Sequence, residues 1–162
     1  MADKITPCIW YDKGQARAAA EFYVSLGLPD SRIDSTWDSP TDNPSGKAGE
    51  ELTVEFTLAG RSFLGLNGGP MFPQTEAISF QIYTDDQAET DRLWDAIVGN
   101  GGAESMCGWC KDRWGVNWQI TPKRLMAFYS DTPARSKSAF DAMMTMKKID
   151  IAALEAAADA AG

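Results

Sequence analysis

Residues 11–23 read YDKGQARAAAEFY, and residues 83–95 read YTDDQAETDRLWD. Laid one above the other, they match Tyr11 with Tyr83, Gln15-Ala16 with Gln87-Ala88 and Phe22 with Trp94, all at a single offset of 72 positions. Each follows a short run rich in β-formers and continues into apolar residues at helical spacing, with Ala16, Ala19, Ala20 and Tyr23 in the first copy and Leu93, Trp94 and Ile97 in the second. A strand-turn-helix that recurs at this distance predicts an internal repeat.

The order of elements around the two copies strengthens that reading. In the first half, Ile5–Tyr11 reads as a strand, Gln15–Val24 as a helix closed by Leu26-Gly27-Leu28-Pro29, and Arg32–Asp38 as a second strand. The loop DSPTDNPSGKAG follows, from Asp38 to Gly49. Glu51–Leu58 then alternates Leu52, Val54, Phe56 and Leu58 with Glu51, Thr53, Glu55 and Thr57, and Ala59-Gly60 turns it into Arg61–Asn67. After Gly68-Gly69-Pro70 the order begins again: a strand at Ala77–Tyr83 with Ile78, Phe80 and Ile82 on one face, a helix at Gln87–Val98 after Asp85-Asp86, a short strand near Ala103–Met106, and a hairpin. The expected fold class is α+β, with two βαβββ modules (1–69 and 70–122) forming a curved mixed sheet, followed by a C-terminal helical tail (123–162).

The hairpin contains CGWCKDRWGVNWQIT, from Cys107 to Thr121. A redox reading of Cys107 and Cys110 needs a thiolate at a helix N-terminus. Here the pair precedes a charged turn, Lys111 to Gly115, and an alternating strand. On an extended strand, residues three apart lie about 10 Å from one another and point to opposite faces, too far for a disulfide. Two unbonded thiols are therefore expected. The chain has no His, and Cys8 is remote in sequence, so a zinc set is lacking as well. Trp109 and Trp118 are expected to pair across the hairpin on its buried face.

Charge and composition exclude other classes. A net charge of −8, without any basic stripe, disfavours nucleic acid and anionic membranes as partners. No segment approaches the roughly 20 apolar residues of a membrane span, and MADKITPCIW lacks a signal-type run, so a reducing cytoplasm is the expected location. If helices cover one face of each sheet, the polar residues of the other face line a trough. Those residues are Glu55 and Thr57, Ser79, Gln81 and Tyr83, and Asn117 and Gln119, with Trp10, Trp37 or Trp109 at the edges. Amides, hydroxyls and aromatics suit a neutral or mildly polar organic ligand. Glu55 is the sharper candidate, because a carboxylate in an aromatic trough has a raised pKa and can act as a general base, with Tyr83 as a second proton-transfer group.

The runs ITPCIWYDKGQARAAAEFY, LTVEFTLAGRSFLGLNGGP, EAISFQIYTDDQAETDRLWDAI and CGWCKDRWGVNWQITP, with the C-terminal MKKIDIAALEAA, resemble the PhnB-like family. That family often carries the description 3-demethylubiquinone-9 3-methyltransferase and belongs to the vicinal oxygen chelate superfamily, with glyoxalase I and the bleomycin-resistance proteins. The resemblance implies a glyoxalase/bleomycin-resistance-like fold. It places Asp112-Arg113-Trp114-Gly115 at the last hairpin turn, with Cys107 and Cys110 on the strand before it. Metal-using members of the superfamily carry one ligand on each of four strands. The matching positions are Ile5, Gly65, Ala77 and Gln119, or with a one-residue slip Thr6, Leu66, Ile78 and Gln119 or Ile120. Only Gln119 is a credible donor, and Met71 stands where relatives often have His, so no metal and no cofactor are expected. The methyltransferase description implies S-adenosylmethionine, yet Gly65 to Gly69 leads into Pro70 and not into a helix, so the Rossmann-type signature is missing.

In the tail, Ala134–Lys148 is amphipathic, with Phe140, Met143 and Met144 apolar, and Asp150 can cap a second helix carrying Ile151, Leu154 and Ala158. Such an Ala-rich terminal helix needs a surface to dock on, either its own domain or a partner chain. Relatives in the superfamily commonly dimerise, so the resemblance implies a homodimer. The expected function is small-molecule binding without a metal; the alternatives are a metal-free enzyme using Glu55, or the methyltransferase of the family description.

Overall fold

The computed structural model describes residues 4–12 and 14–162, and the chain divides into two compact units, Met1–Gln74 and Thr75–Gly162. In the first unit β1 (Cys8–Tyr11) leads to α1 (Gln15–Ser25), followed by β2 (Arg32–Asp38), β3 (Glu51–Leu58) and β4 (Arg61–Asn67). These strands form a sheet in the order β1-β4-β3-β2, with β1 parallel to β4 and the other pairs antiparallel. Ala59 and Gly60 both take positive φ, 48° and 75°, the two-residue turn whose twist suits an antiparallel hairpin.

Small residues let α1 lie close on this sheet. Ala16, Ala19, Ala20 and Tyr23 are buried, and a methyl group at Gly65 would come within 3.1 Å of the Ala16 Cβ. Behind them Tyr23 meets Phe56 with ring centroids 5.9 Å apart, and Phe56 stacks on Phe63 at 5.3 Å. The N-cap, Gly14, has no side chain to satisfy the first free amides. Buried Asn67 takes that part: its Oδ1 accepts from the Ala16 N–H at 2.9 Å, while its Nδ2 donates to the Glu51 carbonyl.

The second unit repeats the plan with β5 (Phe80–Thr84), α2 (Gln87–Gly99), β6 (Ala103–Glu104), β7 (Trp109–Lys111) and β8 (Asn117–Pro122), in the order β5-β8-β7-β6. Asp86 caps α2 by accepting from the Glu89 N–H at 2.8 Å, and the Glu89 carboxylate accepts in return from the Asp85 N–H. The two βαβββ modules expected from the sequence are thus present as two four-stranded mixed sheets. Their strand order is the same.

Several local expectations differ: β1 begins at Cys8, not Ile5, and β6 ends at Glu104, not Met106. β5 begins at Phe80, not Ala77, and Ile78 is 69% exposed instead of facing inward with Phe80 and Ile82. The ladder to β8 starts at the Phe80–Trp118 pair, while Asn117 holds the Thr75 carbonyl through its side chain. Cys107 lies before the strand, in a turn with φ 59°, because its N–H and that of Gly108 donate to the Met146 and Lys147 carbonyls, each at 2.7 Å. Trp109 and Trp118 do not pair. Trp109 opposes Gln119, and Cys110 opposes Trp118, so the two indoles point to opposite faces and only Trp118 is buried.

The tail forms α3 (Lys123–Phe128), α4 (Pro133–Met143) and α5 (Ile151–Asp159). Asp150 caps α5 through the Ala153 N–H, and the helix docks within its own unit. Leu154 and Ala158 join Leu125, Phe128, Ala139, Met143 and Ile149 in a buried cluster, with Cys107 and Met146 packed against it. Among the described residues no helix is long and apolar enough to cross a membrane.

Candidate functional site

The helix-free face of the first sheet is built from alternate residues, and the register arranges them in rows. One row crosses the sheet as Arg32, Thr57 and Ser62, the next as Ser35, Glu55, Leu64 and Cys8, and the third as Trp37, Thr53, Leu66 and Trp10. A bulge between Ile33 and Ser35 turns Asp34 onto this face too, where its carboxylate accepts from the Thr57 hydroxyl at 2.7 Å and meets the Arg32 Nε at 2.7 Å. A cleft of about 330 Å³ opens here, lined by Thr6, Arg32, Asp34, Glu55, Thr57 and Ser62 over Phe63 and Leu64. Glu55 is exposed and accepts from the Ser35 hydroxyl at 2.8 Å. The residue opposite it on β4 is Leu64, and the aromatic neighbour on its face is Trp37, diagonal on β2.

Trp10 stands at the edge of this face, with its ring edge-on to Phe72 at 4.9 Å and its Nε1–H donating to the Gly69 carbonyl at 2.6 Å. Gly68 gives it room, since a Cβ there would lie 2.2 Å from the indole. Trp10 therefore fastens the Gly-Gly-Pro segment to β1.

On the second sheet the remaining expected residues form two short chains of hydrogen bonds. Gln119 Nε2 donates to the Ser79 hydroxyl at 2.9 Å, while Gln81 Nε2 donates to the Thr121 hydroxyl at 2.9 Å and its Oε1 accepts from the Tyr83 hydroxyl. Tyr83 is 49% exposed. Asn117 is buried and spends its amide on the Thr75 and Gly115 carbonyls, a structural use. The expected residues thus fall into two groups, Trp10, Glu55 and Thr57 on the first unit and Ser79, Gln81, Tyr83, Asn117 and Gln119 on the second.

Sequence reasoning missed a larger cleft of about 650 Å³, lined by Gly14, Asn43–Lys47, Glu50–Leu52 and Asn67. The 38–49 loop makes it by folding on itself: Ser39 N–H donates to the Glu50 carbonyl, Asn43 bridges Gly46, and the Ser45 hydroxyl donates to the Gly68 carbonyl. The Asn43-Pro44-Ser45-Gly46 turn signal was legible, but its tether at Gly68, 23 residues on, was not.

The superfamily's metal positions do not fit a cation. Gly65 faces α1, Ile5 and Ala77 offer no side-chain donor, and the Gln119 amide is engaged with Ser79. Among the described residues no group of three or more His, Cys, Asp or Glu is placed to hold a metal ion. Cys8, Cys107 and Cys110 are all free thiols, and burial, with the Asp112 charge second, pushes the Cys110 pKa up to about 12.

Tandem βαβββ modules define a class of fold shared with several solved structures. The PhnB protein from Bacillus cereus is 30% identical, with a TM-score of 0.64, over 74% of this chain and 99% of that one. Protein PA1353 from Pseudomonas aeruginosa shares the fold at 20% identity and a TM-score of 0.59, over 75% of this chain and 98% of that one. No curated protein matches. The family model for 3-demethylubiquinone-9 3-methyltransferase matches residues 3–121, and the chain belongs to that family, the PhnB-like family its sequence resembles. For the S-adenosylmethionine that the family's description implies, the described residues offer no Gly-rich strand-to-helix turn: β4 ends at Asn67 and Gly68-Gly69 leads into Pro70, not into a helix.

Proposed function

We propose that this protein binds a small organic molecule on the open face of its first sheet, without a metal. The cleft of about 330 Å³ carries the reading, because it gathers Glu55 and Thr57 with Thr6, Arg32, Asp34 and Ser62 over an apolar floor. Concave, partly apolar sites of this size with a few convergent polar groups are the usual form of a small-molecule pocket. Trp10 holds the edge of that face in place. The protein acts as a homodimer in the cytoplasm. Native mass spectrometry before exposure to chelators tests this: a dimer with a co-purified organic mass and no metal supports it, and a stoichiometric divalent metal overturns it.

A second reading makes the same site catalytic. Ser35 fixes one Glu55 oxygen at 2.8 Å, an orientation that suits a general base. Turnover of a bound compound that stops in Glu55→Gln supports catalysis, whereas binding with no conversion leaves the binding function alone. The methyl transfer in the family's description requires S-adenosylmethionine, and calorimetric titration with that cofactor decides it.

A further inference from the structure

The rows on the open face of the first sheet grade from ionic to aromatic, and this gradient limits what chemistry the cleft can select. At one end Arg32 is, among the described residues, the only cation lining the cleft, and Asp30 and Asp34 both pair with it. Asp34 in turn accepts from Thr57, so this corner is internally neutralised. One row further in, Glu55 differs. Among the described residues its recorded partner is the neutral Ser35 hydroxyl, and no Lys or Arg pairs with it. The next row begins with Trp37, 53% exposed and on the same face, diagonal to Glu55 through the Ser35–Glu55 and Trp37–Thr53 pairs. Leu64 and Leu66 continue both rows across β4.

An uncompensated carboxylate beside an open indole and two leucines matches one ligand type in charge and shape. We propose that this face selects an organic cation, an amine whose ammonium sits against the Glu55 carboxylate while its apolar body lies over Trp37, Leu64 and Leu66; the proposal rests on the binding site proposed above. The carboxylate supplies a charge-assisted hydrogen bond, and the indole face attracts the same positive charge through its quadrupole. An anionic ligand meets repulsion at Glu55 and finds Arg32 already occupied. A neutral ligand of the same shape keeps the apolar contact and loses both electrostatic ones.

Three probes with one phenyl body separate these cases: phenethylamine, phenethyl alcohol and 3-phenylpropionate, each titrated into the ¹⁵N-labelled full chain. The expected result is that phenethylamine shifts the Trp37 indole and the amides of residues 53–55 and 64–66, and binds about tenfold or more tightly than the other two. Glu55→Gln, at an exposed position, removes that preference, and Trp37→Leu weakens the amine more than the alcohol. Equal affinities, a preference for the anion, or an amine preference that survives Glu55→Gln overturns the inference while the site itself stands. If none of the three shifts resonances of this face, the binding site proposed above fails with it.

Discussion

Asp112 is the residue whose replacement the structure prices most directly. It is 3% exposed and accepts three hydrogen bonds: Oδ1 from the Trp114 and Val116 N–H groups at 2.9 and 3.0 Å, and Oδ2 from the Trp118 Nε1–H at 3.0 Å. Bonds to a charged acceptor contribute about 1.5–3 kcal/mol each, and a buried donor left without a partner costs about 1–3 kcal/mol. Asp112→Ala strands three donors at once, and we expect a loss of about 3–5 kcal/mol, a large share of a typical stability of about 5–15 kcal/mol. Asp112→Asn is the sharper variant. Its carbonyl can still serve the turn, but its NH₂ then faces the Trp118 N–H, donor against donor, so about 1–3 kcal/mol should be lost. Trp118→Phe removes that indole donor. In a double-mutant cycle by urea denaturation, Asp112→Asn should therefore cost at least about 1 kcal/mol less in the Trp118→Phe background than in the native one. Additive effects, or an Asn variant as stable as the parent, would show that the carboxylate does not hold the hairpin through the indole.

Thiol titration at pH 8 should modify the exposed Cys8 in the folded protein, slowed by the burial that raises its pKa, and Cys110 only on unfolding. Because burial raises the Cys110 pKa from 9.0 to about 12, its contribution to stability is fully present below pH 9 and lost as pH rises from there to 12, an alkaline loss that Cys110→Ala should lack. Leu154→Ala should cost about 2–5 kcal/mol by chemical denaturation, since Leu154 is fully buried where α5 docks. At acid pH the sign reverses. Hydrogen bonds from Gln87 and Lys148 lower Asp91, Lys147 lowers Glu104, and the Thr132 N–H with Arg135 lowers Asp131, so their stabilisation holds above about pH 4 and fades below it. Tm should be flat from pH 7 to about 5 and drop below about 4, less steeply in an Asp91→Asn/Asp131→Asn variant.

Where local chemistry dictates local structure, the sequence was readable. The alternation of Glu51–Leu58, the Ala59-Gly60 turn, the helix start after Asp85-Asp86 and the cap at Asp150 all appear as read, because each depends on residues within a few positions. Features set by distant partners were not legible. The left-handed φ of Cys107 is imposed by carbonyls about 40 residues away, and no local pattern announces it. The face of Trp109 turned on a register that a one-residue slip inverts. At the site, alternation correctly put Glu55 and Thr57 on the open face, but the bulge that adds Asp34 and the neutralised Arg32 corner arise only from pairing with β3. α3 follows β8 directly after Pro122, and its six residues are too few to show a helical period in the sequence.

The docked tail bears on what counts as one piece of this protein. The family match ends at residue 121, yet the amides of Cys107 and Gly108 are satisfied by carbonyls at 146 and 147, and Ile149 lies within 3.1 Å of where a side chain at Gly108 would begin. A chain cut after Pro122 would keep all eight strands and still leave those two amides bare and the end of the last hairpin unsealed. The stretch that marks kinship and the stretch that must fold together therefore differ in length, and the second half could not be exchanged for the first without bringing its last 40 residues along.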